Sequence, residues 1–192
     1  MGKPNSLLKR VVDILFSFTV LLFTSPILFI AIVAIKVESK GPAFFIQPRT
    51  GKDEKLFSMY KLRSMVVNAD RLGPEITQKN DDRITKVGRI LRKTSIDELP
   101  NFFNVLEGSM TVVGPRPEVP VLTKDYDVQL KKIFKFKPGV TGISQINGRG
   151  ELTPETRIPM EIEYYRRANF WSDLLILLKT PFIVISNKGN VM

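Results

Sequence analysis

The chain contains no cysteine and no histidine. Without cysteine there is no disulfide framework, no thiolate metal site and no thiol nucleophile. Without histidine there is no Ser-His-Asp triad, no acid/base side chain that ordinarily titrates near neutrality, and no imidazole for a transition metal. Two phosphate-binding signatures are missing too. Neither G-x-x-x-x-G-K-[ST] nor G-x-G-x-x-G occurs, so P-loop and dinucleotide-binding folds gain no support. Catalysis by this chain has to draw on carboxylates, lysine, arginine, hydroxyls and backbone dipoles, with a hard oxygen-bound cation such as Mg2+ as the natural helper. That is the inventory of phosphoryl transfer.

Charge is missing from one long stretch. No Asp, Glu, Lys or Arg occurs from Ile14 to Ile35, long enough as a helix, at ~1.5 Å per residue, to cross a hydrocarbon layer of about 30 Å. The run is too long for a secretory signal and has no small-residue cleavage site. A helix apolar on every face is hard to bury in a chain of 192 residues, so a membrane segment is expected. Pro26 in its middle cannot donate to the Leu22 carbonyl and should kink or break the helix, with the Thr24 and Ser25 hydroxyls placed to relieve the strain. Lys3, Lys9 and Arg10 precede the segment; Lys36, Lys40, Arg49, Lys52 and Lys55 follow it. Positive charge marks the cytoplasmic side of both ends. A helix that turns at Ser25-Pro26 and leaves on the side it came from satisfies both flanks; a Pro-kinked span is the other reading, since membrane helices tolerate proline. Phe170 to Ile185, interrupted by Asp173, Lys179 and Pro181, is too broken to span and reads as an interfacial amphipathic helix or as core.

The remainder has the composition of one globular domain. The expected fold is α+β and mainly helical with a small β-hairpin: residues 1–40 form the re-entrant, Pro-broken membrane helix and residues 41–192 a cytoplasmic domain with interfacial amphipathic helices. Ala43 to Gln47 and Leu56 to Leu62, on either side of Gly51-Lys52-Asp53, give the hairpin. Residues 72–82 read as a loop. Ile84, Val87, Ile90 and Leu91 recur at helical spacing in a basic amphipathic helix. A further helix is expected near Ser95, another over Val119 to Phe136 after Pro120, a loop over Gly142 to Gly150, and a last helical region opened by Pro159.

Net charge is +10, so an anionic partner is expected: phosphorylated substrate, acidic lipid or nucleic acid. The most informative stretch is Arg92-Lys93-Thr94-Ser95-Ile96-Asp97-Glu98-Leu99-Pro100. Adjacent carboxylates behind clustered cations suit phosphoryl transfer. One carboxylate attacks phosphorus, the other helps hold a cation, and the cations neutralise phosphate. Ser95-x-x-Glu98 is equally a capping box, and because a helix start also binds anions the two readings can coexist. Gly114-Pro115-Arg116-Pro117 presents one arginine on a stiff frame, which suits a phosphate clamp or base stacking and equally a surface turn. Asn147-Gly148-Arg149-Gly150 places another arginine where backbone can approach closely.

Seven ordered motifs carry a resemblance over about Lys9 to Gly189. They are Lys9-Arg10-Val11-Val12-Asp13, Ser25-Pro26, Gln47-Pro48-Arg49-Thr50-Gly51, Tyr60-Lys61-Leu62-Arg63-Ser64-Met65, Thr94-Ser95-Ile96-Asp97-Glu98-Leu99-Pro100, Val113-Gly114-Pro115-Arg116-Pro117 and Pro138-Gly139-Val140-Thr141-Gly142. Together they resemble the bacterial sugar transferase family, monotopic phosphoglycosyl transferases of the bacterial inner membrane that prime capsule, exopolysaccharide or glycoprotein glycans. The resemblance implies a re-entrant helix broken at Ser25-Pro26 and a ping-pong reaction on the cytoplasmic face. In it Asp97 attacks the β-phosphorus of a UDP-sugar, UMP leaves, and undecaprenyl (polyprenol) phosphate takes the phosphosugar from the enzyme. It implies Glu98, with Asp97, at Mg2+, and Arg92, Arg116, Arg149 and Lys61 as phosphate or nucleotide contacts. The chain departs from the family in Lys132-Ile133-Phe134-Lys135-Phe136-Lys137, in Ile143-Ser144-Gln145 where Trp-Ala-Gln is frequent, and in Glu161 where Asp is usual. These departures bear on sugar and nucleotide preference more than on the chemistry. With no additional N-terminal spans in this sequence, the minimal family form is expected. The competing classes are a membrane-anchored basic protein that binds or scaffolds without catalysis, and a nucleic-acid binder. The second would need aromatic platforms among its basic residues, whereas Phe102, Phe103 and Phe134 read as core. Anionic membrane lipid is an expected partner, nucleic acid is not, and an oligomer is compatible with the sequence.

Overall fold

The computed structural model describes residues 7–74, 78, 81–148 and 152–186, which are mainly helical with small two-stranded sheets. Helix α1 runs from Leu7 to Glu38 and carries Pro26 inside it. Proline leaves the Leu22 carbonyl without its helical donor. The Ser25 hydroxyl replaces that donor at 2.8 Å, and the Thr24 hydroxyl donates to the Val20 carbonyl at 2.7 Å. The helix is long and apolar enough to cross a membrane, yet only 17% of its most apolar window is buried, unlike a helix enclosed in a core. One stripe, Asp13, Ser17, Leu28, Ala31 and Ile35, faces the rest of the protein, while Phe18, Leu22, Phe23, Phe29 and Ile30 face outward. The chain just beyond it is held by the buried Arg63, whose guanidinium donates to Ser39 O at 3.0 Å and Lys40 O at 2.9 Å. A cation at a helix C-terminus also suits the helix dipole.

Strands β1 (Phe44–Thr50) and β2 (Leu56–Leu62) pair antiparallel from Phe44↔Leu62 to Thr50↔Leu56, so the first strand extends three residues past Gln47. Pro48 is accommodated because β1 has only one paired edge along this hairpin. After the short α2 (Ala69–Leu72), helix α3 (Lys86–Thr94) starts where the Thr85 hydroxyl accepts from the Gly88 amide. Helix α4 (Asn101–Glu107) ends at Gly108 in the left-handed conformation, and the Arg10 guanidinium donates to its last carbonyls, Val105 O and Leu106 O. Strands β3 (Thr111–Val113) and β4 (Gly139–Thr141) pair parallel. Here a Cβ on Gly139 would lie 2.1 Å from the Gly114 nitrogen, so both positions need glycine for the backbones to touch.

Three expectations fail. Val119 to Phe136 is not one helix: α5 spans Pro120–Thr123 and a 3-10 turn occupies Leu130–Lys135. Asp127 is the cause, because its carboxylate accepts from the amides of Gln129 and Leu130, both at 2.8 Å, and starts a new turn. Gly142 onward is not loop throughout, since α6 covers Ile143–Ile146. Finally, Pro154 rather than Pro159 opens α7 (Pro154–Arg167), at the position where a missing N–H costs nothing. Helix α8 (Phe170–Ser186) is unbroken through Pro181. Asn169 caps it by accepting from the amides of Trp171 and Ser172. Its Trp171, Leu175, Leu178, Phe182 and Ile185 form an exposed apolar stripe.

The main core gathers Met59, Phe102, Val105, Met110, Val112, Val113, Tyr165 and Ile176, drawn from hairpin, α4, β3, α7 and α8. A second cluster joins Leu28, Ala31 and Ile35 of α1 to Ala43, Leu62 and Leu91, with Ile96 and Leu99 packed against it. Each such aliphatic side chain contributes about 1.5–3 kcal/mol on full burial.

Candidate functional site

The site begins at the end of α3. Ser95 adopts a left-handed conformation, φ 56°, and its amide donates to the Arg92 carbonyl, so it closes α3. It makes no side-chain cap on the following turn, which overturns the capping-box reading of Ser95 and Glu98. The 3-10 turn Ile96–Glu98 follows and leads through Leu99 and Pro100 into α4. Ile96 and Leu99 seat this turn on the α1 cluster. Asp97, between them, is only 8% exposed.

Three sequence-selected residues surround Asp97. Lys61, on β2, donates to Glu98 Oε1 at 3.1 Å, and Arg92 Nε donates to Ser64 Oγ at 2.8 Å. Burial pushes the Asp97 carboxyl up to about 6, and the neighbouring Glu98 charge pushes the same way; Lys61, Arg92 and a backbone N–H pull against them. Arg92 reaches this position because α3 lies directly on the segment after β2. A Cβ on Gly88 would sit 1.9 Å from the Ser64 carbonyl oxygen. Gly88 went unselected in the sequence, and its only signal there is a glycine inside an otherwise strong basic amphipathic helix.

Arg116 lies on the turn after β3 with its side chain exposed. Glu98, Lys61 and Arg92 are the side chains whose charges act most strongly on Asp97. Arg149 lies outside the described residues. Ser25 and Pro26, where the sequence suggests a kink or break, lie inside α1, which is helical continuously from Leu7 to Glu38. No cluster of three or more acidic side chains able to enclose a cation occurs among the described residues. The pair Asp97 and Glu98 supplies hard oxygens suited to Mg2+ shared with substrate phosphates, which is the usual Mg2+ arrangement, and does not make a protein-only cage.

Several groups beyond the selected site residues build this region. Asp13, 6% exposed inside α1, accepts from Thr111 Oγ1 at 2.5 Å and from the Val112 amide at 3.3 Å. Lys9 donates to Asp173 of α8 at 2.8 Å. Beneath Arg116, Arg157 is buried between Glu118 and Glu161. Burial raises the Glu161 carboxyl, while Arg157, the Ser144 hydroxyl and the Arg116 amide pull it back.

These features define a class: a carboxylate-centred, cation-lined site mounted on a helix long and apolar enough to cross a membrane. The chain belongs to the bacterial sugar transferase family, whose profile matches residues 4–187. It is 43% identical over 194 residues to the UDP-glucose:undecaprenyl-phosphate glucose-1-phosphate transferase of Escherichia coli K12, covering 96% of this chain and 42% of that protein. It is 38% identical over 188 residues to the UDP-N-acetylgalactosamine-undecaprenyl-phosphate N-acetylgalactosaminephosphotransferase of Aeromonas hydrophila, covering 95% and 44%. A UDP-glucose:undecaprenyl-phosphate glucose-1-phosphate transferase of Caulobacter vibrioides is 41% identical over 182 residues, with 90% and 67% covered. The chain thus spans less than half the length of the first two relatives.

Proposed function

We propose that the protein transfers a sugar 1-phosphate from a UDP-sugar to undecaprenyl (polyprenol) phosphate at the cytoplasmic face of the bacterial inner membrane. The observation that carries this reading is the buried Asp97 beside Glu98, Lys61 and Arg92, on a turn packed against an apolar cluster that includes residues of α1. The names of the relatives supply the substrate class.

In this reading the Asp97 carboxylate attacks the β-phosphorus of the donor. A bond forms between its oxygen and phosphorus, and the bond to the UMP oxygen breaks. A phosphate oxygen of the polyprenol then attacks the same phosphorus, breaking the acyl-phosphate bond and regenerating the carboxylate. With a pKa of about 6 Asp97 is ionised at neutral pH and more basic than an ordinary carboxylate, which favours attack. Lys61 and Arg92 neutralise charge gathering on the phosphates, and Arg116 and Arg149 bind the nucleotide end. Glu98 and Asp97 would hold Mg2+ together with the donor phosphates, where the ion supplies charge neutralisation.

The packing of α1 favours a re-entrant anchor. Asp13 and Ser17 near one end and Leu28, Ala31 and Ile35 near the other are buried against the same globular body. A span would carry one of those ends across the bilayer from that body. The basic residues at both flanks favour the cytoplasmic side, and the α8 stripe suits an anionic membrane surface beside it.

Intact mass after incubation with UDP-sugars and Mg2+, without polyprenol phosphate, tests the reading. A one-phosphosugar adduct should form, vanish in Asp97→Asn and discharge on adding polyprenol phosphate. UMP release with Asp97→Asn at the parental rate would sink the covalent route.

A further inference from the structure

The turn carrying Arg116 is held at nearly every backbone polar group. Pro115 O accepts from the Gly139 amide at 2.8 Å, Pro117 O from Arg49 Nη1 at 3.3 Å, and Glu118 O from the Thr50 amide at 2.9 Å. Prolines at 115 and 117 leave Arg116 as the one N–H donor of the Pro115–Pro117 segment. That amide donates to Glu161 Oε1 at 3.1 Å. Glu161 is fully buried on α7, accepts from the Ser144 hydroxyl at 2.6 Å, and is paired through Oε2 with Arg157 Nη1 at 2.7 Å. Arg157 is paired in turn with Glu118, whose other oxygen accepts from Tyr126 OH at 2.9 Å. Two buried carboxylates therefore share one buried guanidinium directly beneath an exposed arginine.

We infer that Glu161 is a positioning residue for Arg116: it fixes the backbone of the turn through the Arg116 amide, so that the guanidinium is presented to the donor's phosphates with no backbone freedom left to lose on binding. The inference rests on the reading of Arg116 as a donor contact. Rigidity bought elsewhere in the fold lowers the cost of binding, and a small displacement of a charged clamp is felt strongly at the reacting centre.

Glu161→Gln is the informative change because it keeps volume but leaves one acceptor oxygen in place of two. The buried Arg157 charge claims that oxygen, since charge-assisted hydrogen bonds are the stronger ones. The amide NH2 then faces the Arg116 N–H and the Ser144 hydroxyl, donor against donor. Positioning predicts a donor KM about tenfold higher, with acceptor KM unchanged and Glu161→Asp restoring it to within about threefold. Simple electrostatics predicts the opposite sign, because removing a buried negative charge favours an anionic donor.

The test measures donor and acceptor KM for the parent, Glu161→Gln, Glu161→Asp, Arg116→Ala and the Arg116→Ala/Glu161→Gln double variant, with melting curves for each. The expected result is non-additivity: once Arg116 is alanine, Glu161→Gln raises donor KM no further. An unchanged or lowered donor KM in Glu161→Gln, with Arg116→Ala impaired, overturns the inference alone. Effects that multiply in the double variant also overturn it, as they assign Glu161 a separate structural role. Arg116→Ala with parental donor KM overturns both the inference and the reading of Arg116. Should Glu161→Gln fail to fold, Ser144→Ala and Glu161→Asp carry the same test. Positioning then requires that neither moves donor KM by more than about threefold while the Arg116 amide keeps its acceptor, and a tenfold rise in either overturns it.

Discussion

Replacing Asp97 by asparagine should make the protein more stable while removing its activity. In an unfolded chain Asp97 ionises near 3.8, and in the folded protein burial and Glu98 raise that to about 6. Below about pH 4 the side chain is protonated in both states and contributes no difference. As pH rises from about 4 to 6 the unfolded chain gives up its proton first, so the folded state loses relative stability, and above about 6 the loss is constant. A rise from 3.8 to about 6 corresponds to about 3 kcal/mol. Asparagine cannot ionise and escapes this cost. At about pH 7.5, Asp97→Asn should therefore melt higher than the parent by roughly 6–12 °C, since about 1 kcal/mol moves Tm by 2–4 °C in a domain of this size. Thermal melts of both proteins in detergent between about pH 4 and 8 give the answer, because groups common to both cancel in the difference. The gap should open between about pH 4 and 6 and close below it. A variant that melts lower than the parent at about pH 7.5, or a gap independent of pH, would refute the assignment of Asp97 as a buried carboxylate held ionised at a cost.

Gly88→Ala puts a methyl 1.9 Å from the Ser64 carbonyl oxygen. Helix α3 must withdraw, costing about 2–3 kcal/mol even after the better helix propensity of alanine, and moving Arg92 and Asp97 enough to slow adduct formation about 100-fold. A variant with parental melting and adduct rate would show that α3 does not lie on Ser64. Lys61→Met removes a charge that pulls the Asp97 pKa down, so the acid limb of adduct formation should move to higher pH, read from initial rates across the pH range. An unshifted limb would separate Lys61 from the nucleophile. Chelation with EDTA should stop adduct formation, and added Mg2+ should restore it, without changing Tm in the absence of donor. Two carboxylates alone hold the ion too loosely to stabilise the fold, so a large Tm drop on chelation would point to a structural metal instead.

What the sequence made legible was what local pattern dictates. The charge-free run of α1, the hairpin around Gly51 and the basic helix α3 follow from composition and spacing, and the structure has each of them. Ser95-x-x-Glu98 was not legible, because the same four residues serve a helix start or a helix stop. What decides is Ile96 and Leu99, which gain more by packing on the cluster of Leu28, Ala31, Ile35, Ala43, Leu62 and Leu91 than Ser95 would by capping. The segment after Pro120 reads as helix in isolation, and Asp127 together with the buried Tyr126–Glu118 bond breaks it. Arg157 and Glu161 stand four residues apart on α7, a pairing the helix spacing allows one to read, but Glu118 meets Arg157 across 39 residues of sequence and no local signal announces it. The acidic pair and its cations were legible as residue types in order. Their common location was not, because Lys61 comes from β2 and Arg92 from α3.

The cluster joining α1 to the acidic turn has a mechanical consequence for a reaction at a membrane surface. Leu28, Ala31 and Ile35 of the apolar helix share one packed cluster with Leu62 and Leu91, and Ile96 and Leu99, on either side of Asp97-Glu98, pack onto it. Leu62 follows Lys61 directly, and Leu91 precedes Arg92. Glu98, Lys61 and Arg92, the charged groups acting most strongly on the Asp97 carboxylate, are thus each next in sequence to a residue of the apolar cluster that includes α1. Packed cores transmit displacement rather than absorb it, so on the proposed reading the depth at which α1 sits in lipid would set the height of Asp97 above the hydrocarbon. A phosphate on a polyprenol is held at that surface by its own apolar chain. An anchor tethered by a flexible linker would let the carboxylate wander relative to it, whereas an anchor that is part of the active-site core holds nucleophile and acceptor phosphate at one level. On the proposed reading, the apolar helix would belong to the catalytic architecture as much as the acidic pair does.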